Sequence, residues 1–194
     1  NNGLIEYSGT MGGSGATLGD FLGNGTLQVI ATDAGQAPYD TKFYSIIPDH
    51  NTRNVTFRDE GLLPAVRIDT TLGLPHASHD IRSRAVDFDA DGKLDVIIFS
   101  YRWNNGSGDV YRSEIQFLRN TGGGHFVDVT DTVRVGYDTH GMTGYFPQIR
   151  DFNGDGRVDI FVSQPEWNNY GYKGTTLLMQ NSTGQYFFSA ARTR

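Results

Sequence analysis

The sequence predicts an all-β fold made of repeated units, each with four short antiparallel strands. An acidic loop that contains glycine begins at Asp87 and recurs at Asp151, a spacing of 64 residues. Each loop is followed by an apolar segment of strand length, VIIFS or IFVS. Continuously apolar segments of this length are typical of strands that are buried on both faces. No stretch of the chain shows convincing helical periodicity.

We expect a single region over residues 1–194 that contains three units of roughly 64 residues. Their approximate bounds are residues 16–72, 81–131 and 145–194. Four-stranded units repeated in this way predict the blades of a β-propeller. The acidic loop would join the first strand of a blade to the second.

The first unit carries a degenerate copy of the acidic loop, in the segment GDFLGNGTLQVIATD. Its residues Asp20, Asn24 and Gly25 match Asp87, Asp91 and Gly92 of the second unit. Leucine and glutamine replace the acidic residues at the third and ninth positions of the loop. Because two ligands are lost, we expect no tightly bound ion at Asp20 and Asn24.

A second turn is predicted between the third and fourth strands of each unit, in the segments NTGGGHF, NSTGQYF and HNTRNVTF. The alignment matches Asn120 with Asn181 and Asn51, and Phe126 with Phe187 and Phe57. These matches extend the repeat beyond the acidic loops.

Side chains that carry oxygen fall at alternate positions of the loops DFDADGKLD and DFNGDGRVD. Two carboxylates about 4 Å apart repel by roughly 4 kcal/mol at an effective dielectric constant near 20. A tight loop can hold such groups around a positive ion, and oxygen ligands beside a sharp glycine turn suit Ca²⁺. The alternative is an acidic turn without metal, since Asp, Asn and Gly are common turn residues. An EF-hand is disfavoured, because Ile98 and Val162 stand where its loop needs glutamate.

The predicted ligands are the side chains at positions one, three, five and nine of each loop and the backbone carbonyl at position seven. They are Asp87, Asp89, Asp91, Lys93 and Asp95 in the second unit, and Asp151, Asn153, Asp155, Arg157 and Asp159 in the third. Two Ca²⁺ ions are therefore expected.

The motif D-x-[DN]-x-D-G-x-x-D before an apolar strand, with N-x-G-x-G-x-F after the third strand, resembles the FG-GAP/VCBS repeat family. The resemblance extends from about Ala16 to the end of the sequence. It implies a calcium-binding β-propeller like those of integrin α chains, some fungal lectins and many bacterial secreted or surface proteins. It also implies calcium at the ten residues named above, whereas the loop of the first unit departs from the pattern.

Three blades are fewer than the four to eight of a typical propeller. Exposed strands at the edges of sheets invite pairing with another chain. We therefore expect further blades, self-association or an unrelated partner to close the ring.

The composition disfavours several classes of function. The formal net charge is −6 and no cluster of Lys or Arg is visible, which disfavours nucleic-acid binding. Cysteine is absent, so a disulfide-rich module is excluded, and no apolar segment is long enough for a membrane span. The chain lacks H-E-x-x-H, G-x-S-x-G and phosphate-loop motifs.

The segment W-N-N occurs twice, at Trp103 and Trp167, and predicts either a sugar-stacking surface or an anchor for each loop. Calcium sites of modest affinity, on the order of 10⁻⁴–10⁻³ M, suit extracellular modules. We expect a secreted or cell-surface module that binds a glycan or a protein and is not an enzyme. The alternative is the propeller part of a secreted enzyme that degrades polysaccharides.

Overall fold

The structure is a computed structural model that describes residues 15–32, 41–64, 78–102, 112–134, 147–162 and 176–189. Over these residues the chain forms three four-stranded antiparallel sheets and one turn of helix, α1, Thr130–Val133. The predicted all-β fold is confirmed. We call the three sheets blade 1, blade 2 and blade 3 in chain order.

Each blade is a meander in which strands that are consecutive in sequence pair with each other. Blade 1 contains β1 (Gly15–Gly19), β2 (Gln28–Thr32), β3 (Lys42–Asp49) and β4 (Asn54–Leu62). Blade 2 contains β5 (Ser78–Val86), β6 (Asp95–Arg102), β7 (Arg112–Asn120) and β8 (Phe126–Asp128). Blade 3 contains β9 (Gln148–Arg150), β10 (Asp159–Val162), β11 (Thr176–Gln180) and β12 (Tyr186–Phe188).

The apolar strand β6 is buried on both faces, as its sequence predicts. Val96 and Ile98 pack against blade 1, while Ile97 and Phe99 pack against blade 3. The side chains of successive residues in a strand point to opposite faces of the sheet. An unbroken apolar sequence is therefore required wherever a strand has a blade on each side.

Two apolar cores join the three blades. The core between blades 1 and 2 contains Phe21, Ile30, Phe43, Leu63, Val96, Ile98 and Leu118. The core between blades 2 and 3 contains Phe88, Ile97, Phe99, Ile115, Phe117, Ile160, Val162, Leu178 and Tyr186. Full burial stabilises each of the larger aliphatic or phenylalanine side chains by about 1.5–3 kcal/mol. The interfaces between blades therefore hold most of the described apolar core.

The strand register corrects the alignment of blade 3 with blade 2. Asn120 pairs with Phe126 in blade 2, whereas Gln180 pairs with Tyr186 in blade 3. Gln180 and Tyr186 therefore occupy the positions that the sequence alignment gives to Asn181 and Phe187. The alignment is wrong by one residue because it matched an asparagine that begins the turn in blade 3 with one that ends a strand in blade 2.

Blade 1 agrees with the alignment in one position and differs in the other. Ile46 pairs with Phe57, so Phe57 lies where Phe126 lies in blade 2. Asn51 lies in the turn after β3, and Ile46 occupies the position of Asn120. The predicted match of Asn51 is therefore wrong, because the β3–β4 hairpin is longer than its counterparts.

Candidate metal centre

The acidic loops join the first and second strands of their blades, as predicted, and the first carboxylate of each loop closes the turn. Asp87 accepts hydrogen bonds from the N–H groups of Asp91 at 3.0 Å and Gly92 at 2.8 Å. Asp20 and Asp151 each accept the N–H of the glycine at the sixth position at 2.7 Å. These carboxylates therefore set the shape of all three loops.

The backbone is left-handed at the fourth and sixth positions of the loops. In blade 2 these positions are Ala90, with φ 60°, and Gly92, with φ 85°. A Cβ atom added to Gly92 would meet no atom within 4 Å. Glycine is therefore favoured at this position by the backbone conformation, which L-residues rarely adopt.

Three carboxylates converge in the loop of blade 2. Oxygen atoms of Asp87, Asp89 and Asp95 all lie within 4.8 Å of one another. Asp95 is buried and Asp89 is exposed. The arrangement concentrates negative charge at one point, which a hard cation would neutralise.

Asp95 has the most perturbed carboxyl group of this cluster. Burial raises its pKa to about 6, and the negative charge of Asp89 raises it further, against two backbone hydrogen bonds that lower it. Those bonds come from the N–H of Asn120 to Oδ1 at 2.8 Å and from the N–H of Phe88 to Oδ2 at 3.1 Å. Asp95 thus joins the loop to the end of β7.

Asp91 points to a different partner. Its Oδ2 lies 2.5 Å from the Nζ of Lys93, and its Oδ1 accepts the N–H of Lys93 at 3.0 Å. The side-chain hydrogen bond from Lys93 is the main cause that lowers the pKa of Asp91. The structure therefore brings together three of the four predicted carboxylate ligands of this loop, while the fourth pairs with Lys93.

The loop of blade 3 repeats this arrangement with one amide. Asn153 donates from Nδ2 to Asp155 Oδ2 at 2.8 Å, and Arg157 donates from Nη2 to the same oxygen at 2.6 Å. The hydrogen bond from Asn153 is the largest cause that lowers the pKa of Asp155. Backbone N–H groups, foremost that of Gly156, lower the pKa of Asp151.

Asp159 is the ninth residue of this loop and corresponds to Asp95. Its Oδ2 accepts the N–H of Phe152 at 3.0 Å, and its Oδ1 accepts the N–H of Gln180 at 2.9 Å. Both ninth-position carboxylates are buried. They connect the second residue of the loop with the end of the third strand.

Blade 1 closes its loop with a neutral side chain. Gln28 Oε1 accepts the N–H groups of Phe21 at 2.7 Å and Leu22 at 3.1 Å. Gln28 Nε2 donates to the carbonyl of Thr26 at 2.9 Å. The carboxamide thus makes the loop contact that a carboxylate makes in blades 2 and 3, without adding negative charge.

Sequence analysis missed a contact that joins each loop to the next blade. Asn120 Nδ2 donates to the carbonyl of Phe21 at 2.8 Å, and Gln180 Nε2 donates to the carbonyl of Phe88 at 2.7 Å. A signal for it was present, because a phenylalanine follows the first aspartate in all three loops. The carboxamides themselves are concealed by the change from Asn to Gln.

Trp103 and Trp167 lie outside the described residues. Within the described segments, no helix is long and apolar enough to cross a membrane.

The family comparison supports the repeat. The model of the FG-GAP-like repeat matches residues 87–162. The chain contains an FG-GAP-like repeat. The match begins at the first residue of the acidic loop in blade 2 and extends through the loop and second strand of blade 3, so both complete acidic loops lie within the FG-GAP-like segment. Neither a curated protein nor a solved structure matches the chain significantly.

Proposed function

We propose that the acidic loops of blades 2 and 3 each bind one Ca²⁺ ion. The observation that carries the proposal is the convergence of Asp87, Asp89 and Asp95, whose oxygen atoms lie within 4.8 Å of one another. The ligand set also includes Asp91 and the carbonyl of Lys93, by the motif of the FG-GAP-like repeat. Aspartate and carbonyl oxygens are the ligands that Ca²⁺ prefers.

The second site is proposed at the corresponding residues of blade 3. Its ligands are Asp151, Asn153, Asp155, Asp159 and the carbonyl of Arg157. Asp151, Asp155 and the amide of Asn153 lie together in one tight turn. The loop of blade 1 is not proposed as a site, because Leu22 and Gln28 replace two acidic residues.

Calcium would neutralise the charge of the loop and favour its closed form. The ionised form of Asp95 is disfavoured by burial and by the neighbouring carboxylates, and a bound cation would favour it. Asp95 also holds the N–H of Phe88, a residue of the core between blades 2 and 3. Calcium would thereby stabilise contacts between blades.

Calorimetric titration with calcium tests this proposal. We expect two sites in the unmodified chain, with dissociation constants on the order of 10⁻⁴–10⁻³ M. The Asp89→Ala and Asn153→Ala variants should each lose one site, and Asp20→Ala should retain both. Retention of both sites by Asp89→Ala and Asn153→Ala would exclude the assigned ligands.

We further propose that the protein acts outside the cell, secreted or at the cell surface, as a rigid module that binds a glycan or a protein. The FG-GAP-like repeat supports a module of the repeat and adhesion type. Calcium sites of modest affinity suit the calcium concentration outside cells. A glycan array probed with and without calcium tests the glycan branch of this proposal, with Trp103→Ala and Trp167→Ala as variants. Binding that needs calcium supports the glycan ligand, and its absence leaves a protein as the ligand.

A further inference from the structure

The second residue of each loop is a phenylalanine, and its burial depends on the following blade. Phe21 of blade 1 is 1% exposed against blade 2, and Phe88 of blade 2 is 3% exposed against blade 3. Phe152 of blade 3 has no described blade after it and is 42% exposed. The same loop position is therefore a core residue twice and a surface residue once.

The neighbours of Phe152 show the same difference. Ile97 and Phe117, which flank Phe88 in blade 2, are fully buried. Their counterparts by strand pairing in blade 3 are Phe161 and Leu177, and both are partly exposed. The rings of Phe152 and Phe161 lie 6.1 Å apart. We call Phe152, Phe161 and Leu177 the free face of blade 3.

A polar group of the free face also lacks the partner that its counterparts have. The carbonyls of Phe21 and Phe88 each accept a hydrogen bond from a carboxamide of the following blade, Asn120 or Gln180. No described residue donates to the carbonyl of Phe152. The N–H of Phe152 is bound by Asp159 at 3.0 Å, as the N–H of Phe88 is by Asp95, so the loop holds this residue in the same way.

We propose that the free face of blade 3 binds a further four-stranded sheet whose third strand ends in asparagine or glutamine. The incoming sheet would bury Phe152, Phe161 and Leu177 under an apolar face, and its carboxamide would donate to the carbonyl of Phe152. The two interfaces inside the chain serve as templates for this contact. The proposal depends on packing and not on the calcium proposal, so each can fail separately.

The chain's own blade 1 does not fit this description. The position of Asn120 and Gln180 is occupied in blade 1 by Ile46, as the pairing with Phe57 shows. Ile46 packs instead against a small apolar cluster of Val29, Ala31 and Tyr44. A second copy that docked through blade 1 would therefore leave the Phe152 carbonyl without its side-chain donor. The chemistry of the face favours a further blade over a copy of this chain.

A chain extended by one blade tests the proposal. A second copy of residues 135–194 is joined after Arg194, which makes the connection to the added sheet as long as the one between β8 and β9. The chain has no cysteine, so Leu177→Cys in the original blade 3 provides a single thiol reporter. The rate of its reaction with a soluble disulfide reagent is then compared in the normal and extended chains.

We expect the extension to slow the reaction of Leu177→Cys by about tenfold or more, since a thiol in a packed core reacts only after local opening. Phe187→Cys is the matched control. Phe187 is 40% exposed, and its counterpart Val127 stays 46% exposed although blade 3 is packed on blade 2. The control thiol should therefore react at nearly the same rate in both chains.

Two further comparisons identify the occupant. Replacing the added copy's Gln180 with Ala should restore part of the reactivity, because the donor to Phe152 is then missing. A second extended chain carries residues 65–134, with Asn120 as donor, and provides a blade that folds independently of the first design. Full reactivity of Leu177→Cys in both extended chains would overturn the proposal. Protection of the normal chain that rises with protein concentration would also overturn it, in favour of a second copy.

Discussion

Gln180 Nε2 in blade 3 lies 2.7 Å from the carbonyl oxygen of Phe88 in blade 2. The N–H of the same phenylalanine lies 3.1 Å from Oδ2 of Asp95, and its ring belongs to the core between the two blades. One residue therefore connects the candidate metal centre with the blade interface. A disturbance of either should weaken the other.

Removal of a carboxamide between blades should lower the free energy of unfolding. In Asn120→Ala and Gln180→Ala, the carbonyl of Phe21 or Phe88 loses its donor inside a packed interface. The loss of a partner for a buried polar group costs about 1–3 kcal/mol. Urea denaturation should show this loss in both variants. Asn51→Ala is the control, because Asn51 is exposed in a turn, and a loss as large as that of Asn120→Ala would contradict the assignment.

The calcium-dependent part of the stability should disappear with the metal ligands. At 10 mM calcium, a site with the expected affinity contributes roughly 1–3 kcal/mol, which raises Tm by roughly 3–10 °C. Asp89→Ala should lose part of this rise, measured as the difference between Tm with calcium and with a chelator.

Asp20→Ala is the matched control for this experiment. Asp20 accepts two backbone hydrogen bonds in its loop, so the variant should have a lower Tm under both conditions. Its calcium-induced rise should equal that of the unmodified chain. A smaller rise would show that the loop of blade 1 also binds calcium.

In calcium-free buffer, Asp95 should make stability depend on pH. Its pKa is about 6 in the folded chain and near 3.8 when unfolded, so the folded state holds the proton more tightly. Between these values the folded state binds more protons, and stability falls as pH rises. Asp95→Asn should be less stable than the unmodified chain, because an amide cannot accept both backbone hydrogen bonds, and should lack this fall. Urea midpoints at pH 4.5 and pH 7 measure the difference, and an equal fall in both chains would contradict the assignment.

The left-handed positions of the blade 2 loop should respond in opposite directions to substitution. Gly92→Ala should destabilise the chain by about 1–2 kcal/mol, because φ is 85° there. Ala90→Gly should be neutral or stabilising by up to about 1 kcal/mol, since relief of strain exceeds the added chain entropy. Thermal melts at saturating calcium measure both effects. A harmless Gly92→Ala would contradict the described turn.

The acidic loops could be predicted well from sequence, because their geometry is local. The spacing of Asp87, Asp89 and Asp95 around Gly92 was enough to indicate that their side chains share one point, and the structure confirms this for the three carboxylates. The orientation of Asp91 was not predictable in this way. It depends on whether the cation nearest to it is an ion or the ammonium group of Lys93.

The contacts between blades were harder to predict, because they join residues far apart in sequence. Asn120 and Phe21 meet only when two sheets stack, and no local pattern records that contact. The match of Asn120 with Asn181 followed residue identity, whereas the register of β11 and β12 places Gln180 there. Since Asn and Gln present the same amide at different lengths, identity alone misleads at this position.

The interfaces between blades have a direction. Each time, the earlier blade supplies the aromatic ring and the carbonyl, while the later blade supplies the amide. A contact of this kind is heterologous, so it cannot form between two copies related by a simple two-fold axis. Assemblies built from it are restricted to closed rings or open helical fibres, and the rotation from one blade to the next decides between them.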